Sequence, residues 1–301
     1  MVIHQPKPIL KWAGGKTQLI KDIYSFFPSS FGGKINKYAE PFVGGGALLF
    51  DVLSKYELSE VYISDINGEL INMYIMVRDH ANEVIELLQQ YSDTYLPLMD
   101  YERREYYYQK RDEFNQLIEN KKSTSGIESA ALFIFLNRTC FNGLYRANKK
   151  GLFNVPMGVY KNPTICNPDN LREVSSVLQD VEIVCGDYQQ SSSFIDANTL
   201  VYLDPPYRPL KDRESFISYT EKDFDDDSQK ELALFVNNIS EKGALFIMSN
   251  SDPKNVDPDD NFFEDLYSQY DIQRIYAKRI INSKGASRGP VAELLIRNFI
   301  G

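Results

Sequence analysis

Lys37-Tyr38-Ala39-Glu40-Pro41-Phe42-Val43-Gly44-Gly45-Gly46-Ala47-Leu48-Leu49-Phe50-Asp51-Val52-Leu53 is the stretch whose reading decides the fold. Residues Ile35 to Glu40 predict a strand, the glycines a tight turn, and Ala47 to Leu53 a helix. A second strand follows at Glu60-Val61-Tyr62-Ile63-Ser64 and ends at Asp65. Together these make a β-loop-α-β unit, which places the chain in the α/β class with a doubly wound sheet.

The turn also suggests a ligand. Glycines let a backbone approach closely, and a helix N-terminus favours an anion. Asp65 stands about twenty residues after the glycines, the usual place for a carboxylate that grips ribose hydroxyls. A dinucleotide fingerprint would need a third glycine at position 49, where the chain has Leu49. A ribose-bearing cofactor with a smaller anion, such as the carboxylate of S-adenosylmethionine, fits better. The alternative is a glycine-rich turn with a capping aspartate.

Working outward, strands are expected at Val181-Glu182-Ile183-Val184, Leu200 to Leu203, Ala244 to Met248 and Glu293 to Asn298. Between residues 76 and 180 the chain is rich in tyrosines, charges and helix formers, with an apolar helical run from Ala130 to Leu136. Polar, glycine-containing sequence follows from Asn137 to about Pro163. The expected organisation is a catalytic, cofactor-binding domain of residues 1–75 and 181–301, interrupted by a mostly helical domain of residues 76–180 that contains a β-hairpin. Asp252 to Asp260 predicts a solvated acidic loop.

The run Leu200-Val201-Tyr202-Leu203 reads as a buried parallel strand, and Asp204-Pro205-Pro206-Tyr207 lies just past its carboxyl end. That edge is where ligands bind in open α/β sheets. The two prolines remove backbone donors and leave nearby carbonyls free, and the tyrosine offers a stacking face. Such a group suits gripping an amino group on a planar ring; an ordinary strand-ending turn is the competing reading. A second glycine motif, Lys11-Trp12-Ala13-Gly14-Gly15-Lys16-Thr17, is similar to a phosphate-binding loop. Leu10 stands where that loop needs a glycine, and no full strand precedes it, so a nucleotide triphosphatase is excluded. The single tryptophan beside this turn suggests a rigid cofactor-lining loop, or else a core tryptophan.

The 301 residues are 43% hydrophobic and 25% charged, and no run of 18 apolar residues predicts a membrane span. The N-terminus lacks a signal-peptide core, so a cytoplasmic location is expected. Cys140, Cys166 and Cys185 lack paired spacing and read as reduced thiols. Two histidines argue against a histidine metal site or a Ser-His-Asp triad, and no metal is expected. The net charge of −9 is unevenly spread. Residues 1–21, 129–168 and 272–292 contain lysine and arginine but none of the 42 acids. Phosphate binding responds to local charge, so three such windows make a basic face plausible.

The ordered motifs resemble the Dam-type DNA adenine-N6 methyltransferases and their relatives in restriction systems that recognise GATC. They are Lys11 to Lys16, Glu40 to Gly46, Ser64-Asp65-Ile66-Asn67, Asn142-Gly143-Leu144-Tyr145-Arg146, Phe153 to Gly158, Gly186-Asp187-Tyr188, Asp204 to Tyr207 and Ala292-Glu293-Leu294-Leu295. The resemblance spans nearly the whole chain and implies a Rossmann-like sheet of the class I methyltransferase type, with a target-recognition insertion. It implies S-adenosylmethionine bound by Trp12, Ala13, Gly14, Lys16, Phe42, Gly44, Gly46, Asp65, Asp187, Tyr188 and Asp204, with Asp187 at the adenine end. Asp204, Pro205, Pro206 and Tyr207 would hold a target adenine. Duplex DNA would be contacted by Lys11, Asn142, Leu144, Arg146, Asn154, Pro156 and Tyr160. Arg146 would read a guanine edge, Lys11 another base, and Leu144 and Pro156 would touch or wedge bases. Bidentate arginine to guanine is also what groove chemistry favours. The resemblance allows a bacterial or phage origin and a cognate restriction endonuclease as partner.

Adenine's amino nitrogen is a poor nucleophile because its lone pair is delocalised. Asp204 and the Pro205 carbonyl, by accepting its hydrogens, would turn that lone pair toward the methyl donor after base flipping. Cytosine C5 chemistry needs a cysteine, usually after proline, and Thr139, Ile165 and Val184 precede the three here. Cytosine-N4 methylation more often uses serine at the first position of the tetrapeptide. RNA and protein-glutamine methylation often use Asn there, and the basic hairpin weighs against both. A catalytically silent DNA-binding module would need neither the tetrapeptide nor the glycine loop.

Overall fold

The structure is a computed structural model that describes residues 5–208, 224–277 and 291–300. Seven strands form one sheet among the described residues: β1 (Lys37–Glu40), β2 (Glu60–Asp65), β3 (Val181–Cys185), β4 (Thr199–Leu203), β5 (Leu245–Ser251), β6 (Asp271–Ala277) and β7 (Val291–Arg297), in the order β3-β2-β1-β4-β5-β7-β6. β1, β4 and β5 run parallel, in the register Tyr38 to Leu200 and Val201 to Phe246. β7 is antiparallel to both β5 and β6. The sheet is mostly parallel, as expected. β4 is buried along its whole length, which explains its uninterrupted apolar sequence.

The helices are α1 (Ile20–Tyr24), α2 (Ala47–Leu53), α3 (Gly68–Asp79), α4 (Ala81–Tyr95), α5 (Asp100–Glu119), α6 (Ile127–Thr139), α7 (Pro168–Val177), α8 (Asp226–Glu241) and α9 (Phe262–Leu266). Their starts follow local chemistry. Asn67 caps α3 by accepting from the Leu70 amide at 2.9 Å, and Asp225 caps α8 by accepting from the Ser228 amide at 2.9 Å. Pro168 opens α7, where its missing N–H costs nothing.

The described chain divides into two compact units. One comprises Met1–Gly15, Val43–Tyr56 and Ile63–Asp187. Its centre is α6, which is apolar all round and buried from Ser129 to Asn137, packed by α3, α4 and α5. Phe133 and Phe135 meet Trp12, Tyr91, Tyr95, Tyr106, Phe114 and Tyr145 edge-on or tilted. Each buried ring of this kind contributes about 1.5–3 kcal/mol. The other unit comprises Lys16–Phe42, Glu57–Tyr62 and Tyr188–Gly301. Its core is β4 and β5 covered by Leu232, Phe235, Val236 and Ile239 of α8.

Several expectations need correction. The first strand begins at Lys37 rather than Ile35, and the last runs from Val291 to Arg297 rather than Glu293 to Asn298. The sequence reading missed β6, whose residues drew attention only as a basic window. The expected β-hairpin reduces to isolated bridges, Ala147 with Phe153 and Cys140 with Met157, after a 3-10 turn at Phe141–Gly143. The loop from Asp252 is not simply solvated: Asp252 is buried and accepts from Arg274 at 2.6 Å, and Asp260 accepts from Arg208 at 2.7 Å.

Candidate active site and nucleic-acid interface

In the unit that holds β1, β4 and β5, the strand order reverses between β1 and β4. Phe42 follows β1 and Asp204 follows β4, so both lie beyond the carboxyl ends of the strands that flank the switch point. Neighbours fix the tetrapeptide residue by residue. Ser249 donates to Asp204 Oδ1 at 2.8 Å. Gln229, fully buried on α8, donates to the Pro206 carbonyl at 3.3 Å and accepts from Asn250 at 3.4 Å. No described residue donates to the Pro205 carbonyl. Arg208 leaves the tetrapeptide stacked on Phe262 at 4.1 Å and ion-paired to Asp226 at 2.5 Å and Asp260 at 2.7 Å.

Lys16 sits at the centre of this group. Only 5% of its side chain is exposed; its ammonium lies 3.2 Å from Asp204 Oδ1 and 2.9 Å from Glu293 Oε2, and donates to the Tyr207 hydroxyl. Three N–H donors thus meet three acceptors. The same ammonium lies 4.6 Å from the centroid of the Tyr207 ring, and Tyr207 donates to Glu293 at 3.1 Å. Burial works to neutralise Lys16, but Asp204, Tyr202 and Glu293 override it and raise its pKa. Burial pushes the Asp204 carboxyl up, opposed by Lys16 and by the Ser249 hydroxyl. On β1, Glu40 is pushed up to about 8 by burial, against the hydrogen bond from Tyr38 and with the Asp204 charge adding to the rise. Sequence reasoning missed Glu293, Ser249, Gln229 and Glu40 as parts of this cluster. Glu40 and Glu293 carried a signal only as members of the resembled motifs Glu40 to Gly46 and Ala292 to Leu295.

Phe42 stacks on Tyr188 with centroids 5.2 Å apart and planes 29° apart, and Tyr188 meets Phe235 edge-on at 5.1 Å. Two of the three expected cofactor-binding aromatics, Phe42 and Tyr188, therefore share one apolar wall.

The glycine turn belongs to the other unit. Asp65 accepts from the Gly44 amide at 3.1 Å and from the Asn67 amide at 2.9 Å. Burial raises its pKa, opposed by backbone donors at Asn67, Gly44 and Ile66. Glycine is required at these positions for a reason the sequence did not disclose. A Cβ at Gly45 would lie 2.8 Å from Trp12 Cβ, and one at Gly44 would lie 3.0 Å from Trp12 Cδ1. Trp12 lies against the loop and stacks on Tyr145 with centroids 5.9 Å apart. Ala13 and Gly14 form an exposed turn beside it, closed by the Gly15 amide on the Trp12 carbonyl. Gly46 has φ +69°, and a Cβ there would meet the Tyr74 hydroxyl at 2.8 Å. Asp187 is exposed and follows Gly186, whose amide donates to the Asp65 carbonyl at 3.1 Å.

The expected DNA contacts lie in the same unit as this turn. Lys11 is exposed, with its ammonium 4.1 Å from the centroid of the Tyr160 ring. Arg146 is exposed and donates through Nε to Asn154 Oδ1 at 2.7 Å, so Asn154 orients the guanidinium and keeps part of its donor fork outward. Asn142 is exposed in a left-handed conformation at φ 55°, beside the half-buried Leu144, and Pro156 is exposed. Lys149, Lys150 and Lys161 are exposed and carry no ion pair among the described residues. The other basic windows divide differently. Lys16 is buried and ion-paired to Asp204 and Glu293, and Arg274 is taken by Asp252 and Glu264. Lys278, Arg279, Lys284 and Arg288 lie outside the described residues. Burial pushes the Cys140 thiol up to about 12, which leaves it no role as a nucleophile. No helix among the described residues is long and apolar enough to cross a membrane.

Comparison with known proteins gives the family. Residues 12–281 match the family described as D12 class N6 adenine-specific DNA methyltransferase. The chain is 48% identical to the type II methyltransferase M.MjaIII of Methanocaldococcus jannaschii, over 97% of this chain and 99% of that protein. It is 34% identical to the DNA adenine methylase of Haemophilus influenzae, over 96% of this chain and 92% of that one, and 32% identical to that of Escherichia coli K12, over 96% and 94%. A solved precorrin 8w decarboxylase covers 89% of this chain at a TM-score of 0.33 and 11% identity, too distant to inform the fold. The chain belongs to the D12 class of N6 adenine-specific DNA methyltransferases.

Proposed function

We propose that the chain uses S-adenosylmethionine to methylate N6 of a flipped adenine in duplex DNA, within GATC. The observation that carries this reading is the tetrapeptide Asp204 to Tyr207, held by Ser249, Gln229, Lys16 and Glu293 at the carboxyl end of β4.

The cofactor, when bound, supplies an electrophilic methyl group. The residues present suit it: Asp65 retains lone-pair capacity for ribose hydroxyls beyond the backbone amides of Gly44, Ile66 and Asn67, and Phe42 on Tyr188 offers an apolar face for a purine. Trp12, Ala13, Gly14, Gly44, Gly46 and Asp187 complete the assigned set. Lys16 is assigned to the cofactor carboxylate, and binding there requires it to release one of its three present acceptors.

Asp204 and the Pro205 carbonyl accept the two amino hydrogens of the target adenine. With its hydrogens so held, the nitrogen would present its lone pair to the methyl donor for direct, in-line transfer, the new N–C bond replacing the donor's S–C bond, the donor leaving as a neutral thioether and the surplus amino proton passing to Asp204 and on to solvent. Tyr207, anchored through its hydroxyl, presents its ring to the flipped base. Residues 76–180 serve as the target-recognition domain. In it Arg146 reads a guanine edge, Leu144 and Pro156 contact or wedge the stack, and Asn142, Asn154 and Tyr160 assist, while Lys11, from the N-terminal segment, reads a second base. Lys149 and Lys150 contact phosphates. A restriction endonuclease that reads the same site is the proposed partner.

The test is to express the protein in a host without adenine methylation and to sequence the modified positions. Methylated adenine confined to GATC is expected. Methylation at another sequence sinks the GATC assignment, and methylation of cytosine sinks the account of the tetrapeptide.

A further inference from the structure

Asn137 occupies the last turn of α6, only 2% exposed, and none of the contacts expected of the recognition stretch involves it. Its carboxamide makes three hydrogen bonds. Oδ1 accepts from the Lys11 amide at 2.9 Å, and Nδ2 donates to the Lys11 carbonyl at 2.8 Å and to the Gly143 carbonyl at 2.9 Å. A carboxamide is the one uncharged side-chain group that offers an acceptor and two donors in one plane. It treats Lys11 as a strand partner would and ties that peptide to the 3-10 turn carrying Asn142 and Leu144.

The same two segments also touch through packing. Gly143 has φ +63°, and a Cβ there would lie 2.4 Å from Lys11 Cβ and 2.6 Å from Lys11 Cδ. The lysine stem therefore lies flat on the turn's backbone, and its ammonium reaches the Tyr160 ring. Tyr160 is pinned in turn by Arg103, which donates to the Lys161 carbonyl at 2.9 Å. Lys11 is 126 positions from Asn137, so no local geometry sets its relation to the turn. A second asparagine provides an internal comparison. Asn170 grips Lys7 with the same pair of bonds, at 2.8 and 2.9 Å, but makes none to residues 137–160.

We propose that Asn137 is a positioning residue for sequence specificity, because it fixes Lys11 and the turn at Asn142 to Leu144 as one reading head. This rests on the assignment of Lys11 and that turn to DNA. A head whose two parts are fixed together discriminates at both of their base positions at once. If they are uncoupled, contact with phosphate is retained while discrimination falls.

The test compares full-length wild type with Asn137→Ala, Gly143→Ala, Lys11→Ala, Asn170→Ala and the double variant Lys11→Ala/Asn137→Ala. Each is assayed for kcat/KM on duplexes with the native site and with single-base changes. Binding of S-adenosylmethionine and melting temperature are recorded for each. Asn137→Ala should lose about tenfold in the ratio of native to altered site, the order of one base-edge contact, with cofactor binding retained. Gly143→Ala, which displaces the lysine stem without removing a hydrogen-bonding group, should show the same loss if Asn137→Ala fails to fold. Asn170→Ala should leave the ratio unchanged. At the base position assigned to Lys11 the double variant should discriminate no worse than Lys11→Ala, since there Asn137 acts through Lys11. Equal losses of activity on all duplexes, or additive losses at that position in the double variant, would overturn the proposal. If Lys11→Ala itself leaves discrimination intact, the assignment of Lys11 to DNA is what fails, and the proposal falls with it.

Discussion

Replacing Lys16 with methionine removes one cation from between two buried carboxylates. The ammonium lies 3.2 Å from Asp204 and 2.9 Å from Glu293. At an effective dielectric constant of about 20, each attraction is worth about 5 kcal/mol before desolvation is subtracted. Removal of one partner from a buried ion pair costs about 3–5 kcal/mol net. For a chain of this size that lowers Tm by roughly 6–20 °C. The pH dependence has a defined sign. Burial already pushes the Asp204 carboxyl up, and Lys16 is the strongest opposing influence. Without it the folded Asp204 carboxyl takes up a proton that the unfolded chain releases, so the variant gains stability as pH falls. Activity moves the other way, because transfer uses the ionised carboxylate, and partial rescue is expected as pH rises. Calorimetric melting between pH 5 and 9, beside initial rates on DNA and titration with S-adenosylmethionine, reads all three effects. A variant that melts within about 2 °C of wild type, with an unshifted pH–rate profile, would refute the charge balance described for this cluster.

Glu40, with its pKa pushed up to about 8, is ionised in the unfolded chain and protonated in the folded one between its ordinary value and pH 8. Its penalty is absent at low pH and grows to a few kcal/mol as pH rises through that window. Glu40→Gln should therefore flatten the fall in Tm between pH 5 and 8. Gly46→Ala forces a side chain onto φ +69° with its Cβ 2.8 Å from the Tyr74 hydroxyl. The left-handed backbone costs about 1–2 kcal/mol and the crowding about 1–3 more, readable by urea denaturation. Arg146→Ala should cost about 1–3 kcal/mol of discrimination at one base pair and leave methylation of the relaxed site measurable.

Much of this was legible from the chain. β4 could be read because a strand buried on both faces is apolar without interruption, and the β1–α2–β2 unit because glycines mark its turn. β6 was not, because Asp271-Ile272-Gln273-Arg274 mixes charge and apolar residues, and Arg274 looked free until Asp252 and Glu264 were seen to neutralise it. Asp204, the proposed catalytic aspartate, was visible from its neighbours in sequence. The groups that hold it, Lys16 and Glu293, lie 188 positions before and 89 after it, and Glu293 is brought to that end of the sheet by the parallel pairing of β4 with β5 and the antiparallel return of β7. The basic face was overcounted for the same reason: composition records charge, and only the fold records which charges are paired.

The most direct test is the identity of the methylated atom and its dependence on Asp204. Purified wild type and Asp204→Ala are incubated with isotopically labelled S-adenosylmethionine and unmethylated duplex DNA, and the nucleosides are separated by mass spectrometry. Label in N6-methyladenine from wild type is predicted, with none from Asp204→Ala although it still binds the cofactor. Full activity in Asp204→Ala, or label on cytosine N4, would contradict the account.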